Sequence, residues 1–477
     1  MSNTIYWYDY ETTGLDSRQE RIIQFAGLRT DEELQVIGDP LVMYCKPAND
    51  VLPDPYACLV TGITPQKALA DGVIEAEGIA AIHKEFSIPG TCVAGYNNIR
   101  FDDEFTRNTL YRNFYNPYAH EWQYGNTRWD LIDIVRLTRA LRPEGIVWPE
   151  DDKGYPSIRL ELLTRANKIK HEAAHDAMSD VYATIAMAKL IREKQPRLYE
   201  YMYGLRKKQV VSAQLNLNTR EAMLHVSSKY SAERGAIAMV MPICMHPINR
   251  NAVVVYDLTV PPDDFIAIDA VEIAARLYTP AAELPEDAPR IPLKLVHLNK
   301  CPVLVPLKTM DAESAQRLNI NIAECEQNRA EMLAHIDALV SKSREIFSEQ
   351  NFPETHDPDL QIYAGGFFSD ADNARMETIR KTPPEKLAAL SFSFDDKRLP
   401  EMLFRYRARN YPETLSTEEM ETWNAFRHQR FTDPAAGPRT LNRYLADIED
   451  LQKAPDTTGM QLVILEELIA YAEQIKI

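Results

Sequence analysis

The sequence predicts an α/β protein in three parts: a mixed sheet with helices on both sides, a small β-barrel, and a helical C-terminal region. Three observations carry this reading. Over the first 190 or so residues, strand-like and helix-like segments alternate. Between Val210 and Val305, short β-rich stretches are separated by turn residues. Beyond about Asp311 the spacing of apolar residues is helical to the end. At 477 residues the chain is too long for one core. Boundaries are expected at 195 and 349, giving parts 1–195, 196–349 and 350–477.

The first element is the β-branched and aromatic run from Ile5, which ends in Asp9-Tyr10-Glu11-Thr12-Thr13-Gly14. It reads as a strand. Asp9 and Glu11, two residues apart, then share one face of it. Two like charges side by side on a buried element are costly unless a cation lies between them. The pair therefore points to a divalent metal, although Asp-x-Glu alone is common by chance. The turn signal of Thr12-Thr13-Gly14 sets both acids at the carboxyl end of the strand, where open sheets place their sites.

Ile22–Arg29 and Leu34–Cys45, separated by Asp31-Glu32-Glu33, read as two further antiparallel strands, and Thr91–Tyr96 as a short buried one. Phe101–Phe114 has helical spacing at Phe101, Phe105, Asn108 and Tyr111. Asp102 or Asp103 opens that helix, where a carboxylate suits the helix dipole and ordinarily serves as a cap. Leu160–Asn167 and Met178–Glu193 read as helices. Asp180 lies among Ala, Met and Val on the second of these and needs a partner if buried. His175 is five residues earlier, ~140° away on a regular helix. It reaches the same site only from the loop ahead of the helix. There, beside a metal-bound water, it suits the role of general base, although a surface or capping role is the ordinary fate of a single histidine.

In the middle part Ala236–Met241, Ala252–Leu258, Leu293–Leu298 and Pro302–Val305 read as strands, interrupted by a helix at Asp269–Leu277. The last helix, Gln461–Ile475, carries an apolar stripe at 462, 465, 468, 469 and 472.

Composition narrows the class. Hydrophobic content of 45% and charged content of 26% are those of a soluble globular protein. The first ten residues lack a basic n-region, so no signal peptide is expected, and the longest apolar run, Ala236–Met245, is too short to span a bilayer. The six cysteines (45, 58, 92, 244, 301, 325) show no Cys-x-x-Cys spacing, which fits a reducing cytoplasm and leaves oxygen ligands for any metal. A net charge of −17 argues against non-specific coating of nucleic acid. From Tyr201 to Arg250, however, seven Lys/Arg face two acids, a local balance of +5, whereas Leu441 to the end is −4 (three basic, seven acidic). By itself the basic stretch reads as a solvated face; it is also where a polyanion would be held.

Taken together, Asp-x-Glu, then Asn-x3-Phe-Asp, then His-x4-Asp resembles the three motifs of the DEDD exonuclease superfamily, His-type branch, on a ribonuclease H-like fold, over residues 5–190. More narrowly, four runs resemble the bacterial exonuclease I family: 95–104 (Gly-Tyr-Asn-Asn-Ile-Arg-Phe-Asp-Asp-Glu), 142–146, 175–190 and Lys300-Cys301-Pro302-Val303-Leu304. Gly365-Gly366-Phe367-Phe368-Ser369-Asp370 does so too, and the similarity spans nearly the whole chain.

The resemblance implies an SH3-like middle domain. It implies Asp9, Glu11 and Asp180 as direct metal ligands, Asp102 as the fourth acid (its register follows Phe101), and His175 as the general base. Two Mg2+ ions are implied, with Mn2+ a possible substitute: one at Asp9 and Asp180, and a second near Asp9, Glu11 and Asp102. Arg159 matches a nucleotide or phosphate contact of the family, and Glu11, Arg107, Trp122, Lys207 and Lys208 complete the substrate-binding candidates, with Tyr118, Tyr124 and Lys229 beside them. The implied activity is processive 3′→5′ removal of deoxynucleoside 5′-monophosphates from single-stranded DNA, in DNA repair and recombination. The implied partner is the acidic C-terminal tail of single-stranded DNA-binding protein, and the expected state is a cytoplasmic monomer with no membrane association.

Two other readings stay open on the residues alone. A proofreading or short-oligonucleotide exonuclease of the same branch would act on RNA or on polymerase errors, but needs only about the first 190 residues. A catalytically inert DNA-binding scaffold would have no use for four clustered acids.

Overall fold

The computed structural model describes residues 3–171, 176–286, 288–348 and 355–476. They form two compact units. One gathers Met1–Thr127, His171–Ile185 and Pro353–Ile477, and the other Arg128–Lys170 and Ala186–Phe352.

The first sheet comprises β1 (Thr4–Thr12), β2 (Ile22–Thr30), β3 (Val36–Tyr44), β4 (Thr91–Gly95) and β5 (Thr127–Asp130), in the order β3-β2-β1-β4-β5. β1 pairs antiparallel with β2 and parallel with β4, so the sheet is mixed, as the sequence predicts. β1 and β4 are buried over most of their length, and that is why their sequences are nearly continuous apolar runs. The predicted helix at 101–114 forms over Asp102–Arg112, and that at 178–193 over Ala177–Lys194.

Three helices not anticipated from the sequence follow β3: Pro55–Thr61, Pro65–Asp71 and Glu75–Phe86. The first two begin with a capping side chain and a proline: Asp54 accepts from the Tyr56 amide and Thr64 from the Lys67 amide.

The C-terminal helices share a core with the segment after β3. Leu52 and Cys58 pack with Phe431, Tyr444, Ile448, Leu465, Leu468, Tyr471 and Ile475. The last helix runs Gly459–Ile475, opened by a capping box between Thr458 and Gln461. Its buried stripe differs from the predicted one. Leu462 is exposed and Leu465, Leu468, Tyr471, Ala472 and Ile475 are buried, because the first turn extends past the core.

The second unit holds an antiparallel sheet of β6 (Met223–Val226), β7 (Ile237–Met245), β8 (Ala252–Asp257), β9 (Leu293–His297) and β10 (Val303–Pro306), in the order β10-β6-β7-β8-β9. β6 is an addition to the sequence reading. β7 is buried throughout except Met245, and its Pro242 sits where the register with β8 slips, one of the few places a strand tolerates proline. The helix inserted between β8 and β9 runs Ala270–Tyr278, capped by Asp269. None of the six cysteines forms a disulfide with another described residue. Among the described residues no helix is long and apolar enough to cross a membrane.

Candidate metal centre

The site is built where β1 ends. Tyr6, Tyr8 and Tyr10 enter one core with Phe25, Phe86 and Phe105, so Asp9 and Glu11 share the opposite face. Pairing sets Asp9 opposite Ala26 and Glu11 opposite Gln24, then slips so that Thr12 faces Ile22. The slip is a bulge with one extra residue on β2, a device that re-aims side chains near sites. Thr13 fixes the exit. Its amide donates to the Arg21 carbonyl at 2.8 Å, and its carbonyl accepts from the Asp54 amide at 2.6 Å. Its hydroxyl accepts from the Arg21 amide (2.9 Å) and donates to Glu20 Oε2 (2.7 Å).

Asp180 comes in from the first turn of the helix Ala177–Lys194. One carboxylate oxygen each from Asp9, Glu11 and Asp180 lies within 4.8 Å of the others. Asp102 stands outside that trio yet close enough for its charge to act on Asp9. The structure separates Asp102 from Asp103. Asp103 Oδ1 accepts from the Tyr8 hydroxyl at 2.5 Å and from Asn98 Nδ2 at 3.3 Å, which ties it into the fold. Asp102, by contrast, has a buried Oδ1 with no hydrogen-bond partner among the described residues.

The electrostatics are those of acids lacking a counter-charge. Burial pushes Asp9 well above the usual carboxylate range, and the charges of Asp102, Asp180 and Asp176 push it further. Burial, then Asp9, Asp180 and Asp176, lifts Glu11 to about 9. Asp102 is raised as well, by burial first and then by Asp103. A set of hard oxygen donors with one orphaned oxygen and mutual repulsion fits one or two divalent cations of the magnesium or manganese type.

Two further groups join the centre. His171 Nε2 is 2.7 Å from Asp180 Oδ1. Asp176, whose Oδ1 caps the Ser179 amide at 3.0 Å, acts electrostatically on both Asp9 and Glu11. The sequence marks neither: His171 lies nine residues from its partner, outside any helical spacing. His175 falls in 172–175, outside the described residues.

The proposed substrate contacts divide. Arg107 is buried, its guanidinium gripped by Glu121 (Nε–Oε1 2.6 Å) and by Glu104 (2.7 Å), and it lies over the ring of Tyr118. Trp122 and Tyr124 are exposed, at 64% and 73%. Phe367, 91% exposed, stands edge-on to Tyr118 at 6.4 Å, and Tyr363 is equally near it. The sequence reading does not include these last two aromatics. The signal for Phe367 is its place directly after the glycine pair 365–366. In the second unit Arg159 precedes the helix Leu160–Ala166, largely exposed and 3.4 Å from Glu161. Lys207 and Lys208 are exposed, with Lys208 Nζ on Asn251 Oδ1 at 2.5 Å.

Comparison with known proteins agrees over the whole length. Residues 6–188 match the family model described as exonuclease, 206–349 the exonuclease I SH3-like domain, and 356–475 the exonuclease I C-terminal domain. Exodeoxyribonuclease I of Escherichia coli (strain K12) is 47% identical over 476 residues, covering 100% of this chain and 98% of that protein. A moderately thermophilic exonuclease I from Methylocaldum szegediense superposes with a TM-score of 0.95 at 51% identity, covering 99% of each chain. The zinc ion bound form of the E. coli enzyme with single-stranded DNA superposes with a TM-score of 0.94 at 46% identity, covering 100% of both. The first part thus has the ribonuclease H-like exonuclease fold, the middle part is SH3-like, and the chain belongs to the exonuclease I family.

Proposed function

We propose that this chain is a divalent-metal-dependent 3′→5′ exonuclease that degrades single-stranded DNA to deoxynucleoside 5′-monophosphates. The observation that carries the reading is the meeting of Asp9, Glu11 and Asp180 within 4.8 Å, beside the orphaned oxygen of Asp102. Full-length similarity to exodeoxyribonuclease I, and to a structure of that enzyme with single-stranded DNA and zinc, supports it.

Bound between these carboxylates, divalent ions would supply charge neutralisation at the scissile phosphate and would ease deprotonation of the attacking water. Mg2+ is the ion we assign, with Mn2+ as a substitute, because the donors are all oxygen. Asp9, Asp180, Glu11 and Asp102 are the ligands in this reading. Rigid placement of the carboxylates matters as much as their charge: Glu11 is held by the bulge and by the anchoring of Thr13. His175, in the segment just ahead of Asp180, is the proposed general base.

For the strand itself, Trp122, Tyr124, Tyr118, Tyr363 and Phe367 offer rings on which bases stack, and Lys207, Lys208 and Arg159 offer charge to the backbone. Arg107 would act by holding Tyr118 in place, since its own donors are engaged by Glu104 and Glu121. A division at 195 and 349, a monomeric state in the cytoplasm, a role in DNA repair, and docking of the acidic tail of single-stranded DNA-binding protein complete the proposal.

The test is direct. The protein is incubated with magnesium and 5′-labelled single-stranded DNA, duplex DNA or RNA, and the products are sized. Stepwise shortening from the 3′ end with release of mononucleotides, from single-stranded DNA alone, is expected. Products from RNA alone would return the short-oligonucleotide reading, and no product from any substrate would return the scaffold.

A further inference from the structure

The turn Thr12-Thr13-Gly14 carries the chain away from Glu11, and Glu20 lies beneath it. Glu20 is 2% exposed and takes the Thr13 hydroxyl on Oε2 at 2.7 Å. It presses so closely on Gly14 that a Cβ there would stand 2.6 Å from Oε1, so the turn and the carboxylate fit as one piece. The cation facing Glu20 comes from far along the chain. Arg439, immediately before the Thr440 cap of the helix Leu441–Lys453, sends Nη1 to Glu20 Oε1 (3.4 Å) and to the Leu52 carbonyl (3.1 Å), and Nη2 to Asp54 Oδ2 (2.8 Å). Asp54 in turn donates its amide to the Thr13 carbonyl at 2.6 Å. One guanidinium, 12% exposed, thus holds both acids that hold Thr13. Tyr444, one turn further on, is fully buried against Leu52 and Cys58 and fixes the helix that presents Arg439.

We propose that Arg439 is a positioning residue for the exonuclease site, holding the Thr12–Gly14 turn through Glu20 and Asp54 and thereby the direction in which Glu11 leaves β1. The proposal rests on the reading of the carboxylate site given above. It makes the C-terminal helical region part of the geometry of the site, although it supplies no group that touches substrate. A turn two residues from a metal-ligating carboxylate controls placement on the scale at which rates respond steeply.

The Glu20 carboxyl gives the arrangement a signature. Burial lifts it to about 7, opposed by the Thr13 hydroxyl, Arg439 and Arg21, while Asp54 adds to the rise. The Cys58 thiol of the helix Pro55–Thr61 also lies within electrostatic reach of it. Ionised Glu20 makes charge-assisted bonds to Thr13 and Arg439; protonated Glu20 loosens both. Loss of the Arg439 cation leaves Arg21 alone opposite Glu20, so the carboxyl ionises only at higher pH. Activity that depends on the ionised form then loses its acid limb earlier.

The experiment uses the full chain with saturating magnesium, measuring kcat and KM on a single-stranded oligonucleotide from about pH 6 to 9, together with Tm. For Arg439→Gln, kcat is expected to fall about tenfold with KM within about twofold, and the acid limb to rise by about half a pH unit. Arg439→Lys, which keeps the charge, recovers most of both. In a Glu20→Gln background, Arg439→Gln leaves the acid limb where it was. An unchanged kcat and acid limb in Arg439→Gln, or a fall in Tm alone, overturns the proposal, as does an equal shift of the acid limb with and without Glu20. A wild-type chain that hydrolyses nothing overturns the functional reading instead, and the proposal with it. Should Arg439→Gln fail to fold, the Lys variant and Glu20→Gln alone decide: both must fold, and Glu20→Gln must flatten the acid limb.

Discussion

Glu11→Gln in metal-free protein isolates the charge problem from which the site is built. The Glu11 carboxyl stands at about 9 in the folded chain against 4.5 as its ordinary value. Between those values the folded state keeps a proton that the unfolded state has lost, so stability falls as pH rises, by at most about 1.4 kcal/mol per pH unit. At about pH 7 the accumulated cost is about 3 kcal/mol for this residue. Asp9 is raised alongside Glu11 and the two carboxyls share the cost, so about 2 kcal/mol of that is expected back when Glu11 is neutralised. In thermal unfolding of the chelated protein, the variant should therefore match the wild type near about pH 5 and exceed it by about 2 °C at about pH 7 to 8. Saturating magnesium should reverse the order, because the wild type gains a ligand that the variant lacks. Identical pH slopes, or an equal rise in Tm with magnesium for both proteins, would refute the idea that these carboxylates are poised for cations.

Three other outcomes follow from the same structure. Neutralising Lys207, Lys208 and Lys229 together should reduce the slope of log Kd against log salt for single-stranded DNA by about 2, at ~0.7 for each phosphate that a lysine would otherwise neutralise; an unchanged slope would leave these lysines as a solvated face. Asp50→Asn should destabilise the first unit by about 3–5 kcal/mol, measured by urea unfolding, because Arg409 (2.9 Å), Arg430 (3.6 Å) and Arg21 (4.0 Å) lose their shared buried partner. Burial pushes Asp50 up, but those three arginines outweigh it and hold its carboxyl well below the usual range, so this stability is fully present above about pH 4 and is lost only as pH falls below that. Phe367→Ala should weaken binding of single-stranded DNA by roughly 1–3 kcal/mol in a fluorescence titration and leave Tm within about a degree, the side chain being solvent-facing.

What could be read from the sequence follows its periodicity and its charge. β1, β2 and β4 were legible because buried strands write themselves as β-branched and aromatic runs, whereas β3, largely exposed and broken by Gly38-Asp39-Pro40, showed only through the β-rich residues at its two ends. β5 and β6 were not, because in four residues each a charged or polar side chain (Arg128 and Asp130, His225) breaks the apolar run, whereas the equally short β10 is the uninterrupted Val-Leu-Val-Pro. The seven-residue helices at Pro55 and Pro65 span about two turns, and only the pairs Asp54-Pro55 and Thr64-Pro65 announced them. Asp9, Glu11 and Asp180 stood out as charges in apolar company. The choice between Asp102 and Asp103 could not come from local chemistry, since both open the helix; it is made by the Tyr8 hydroxyl, 95 residues away in sequence from Asp103. Glu20 and Arg439, 419 residues apart, carry no local signal of their meeting at all.

In the proposed enzyme, a carboxylate cluster at the end of β1 turns over single-stranded DNA with divalent ions. Asp180→Asn tests it most directly, since it removes one charge and keeps the shape. Turnover of a single-stranded oligonucleotide should fall at least about a thousandfold, while its Kd stays within a few-fold and magnesium no longer raises Tm as it does in the wild type. Turnover close to the wild type in that variant would contradict the account.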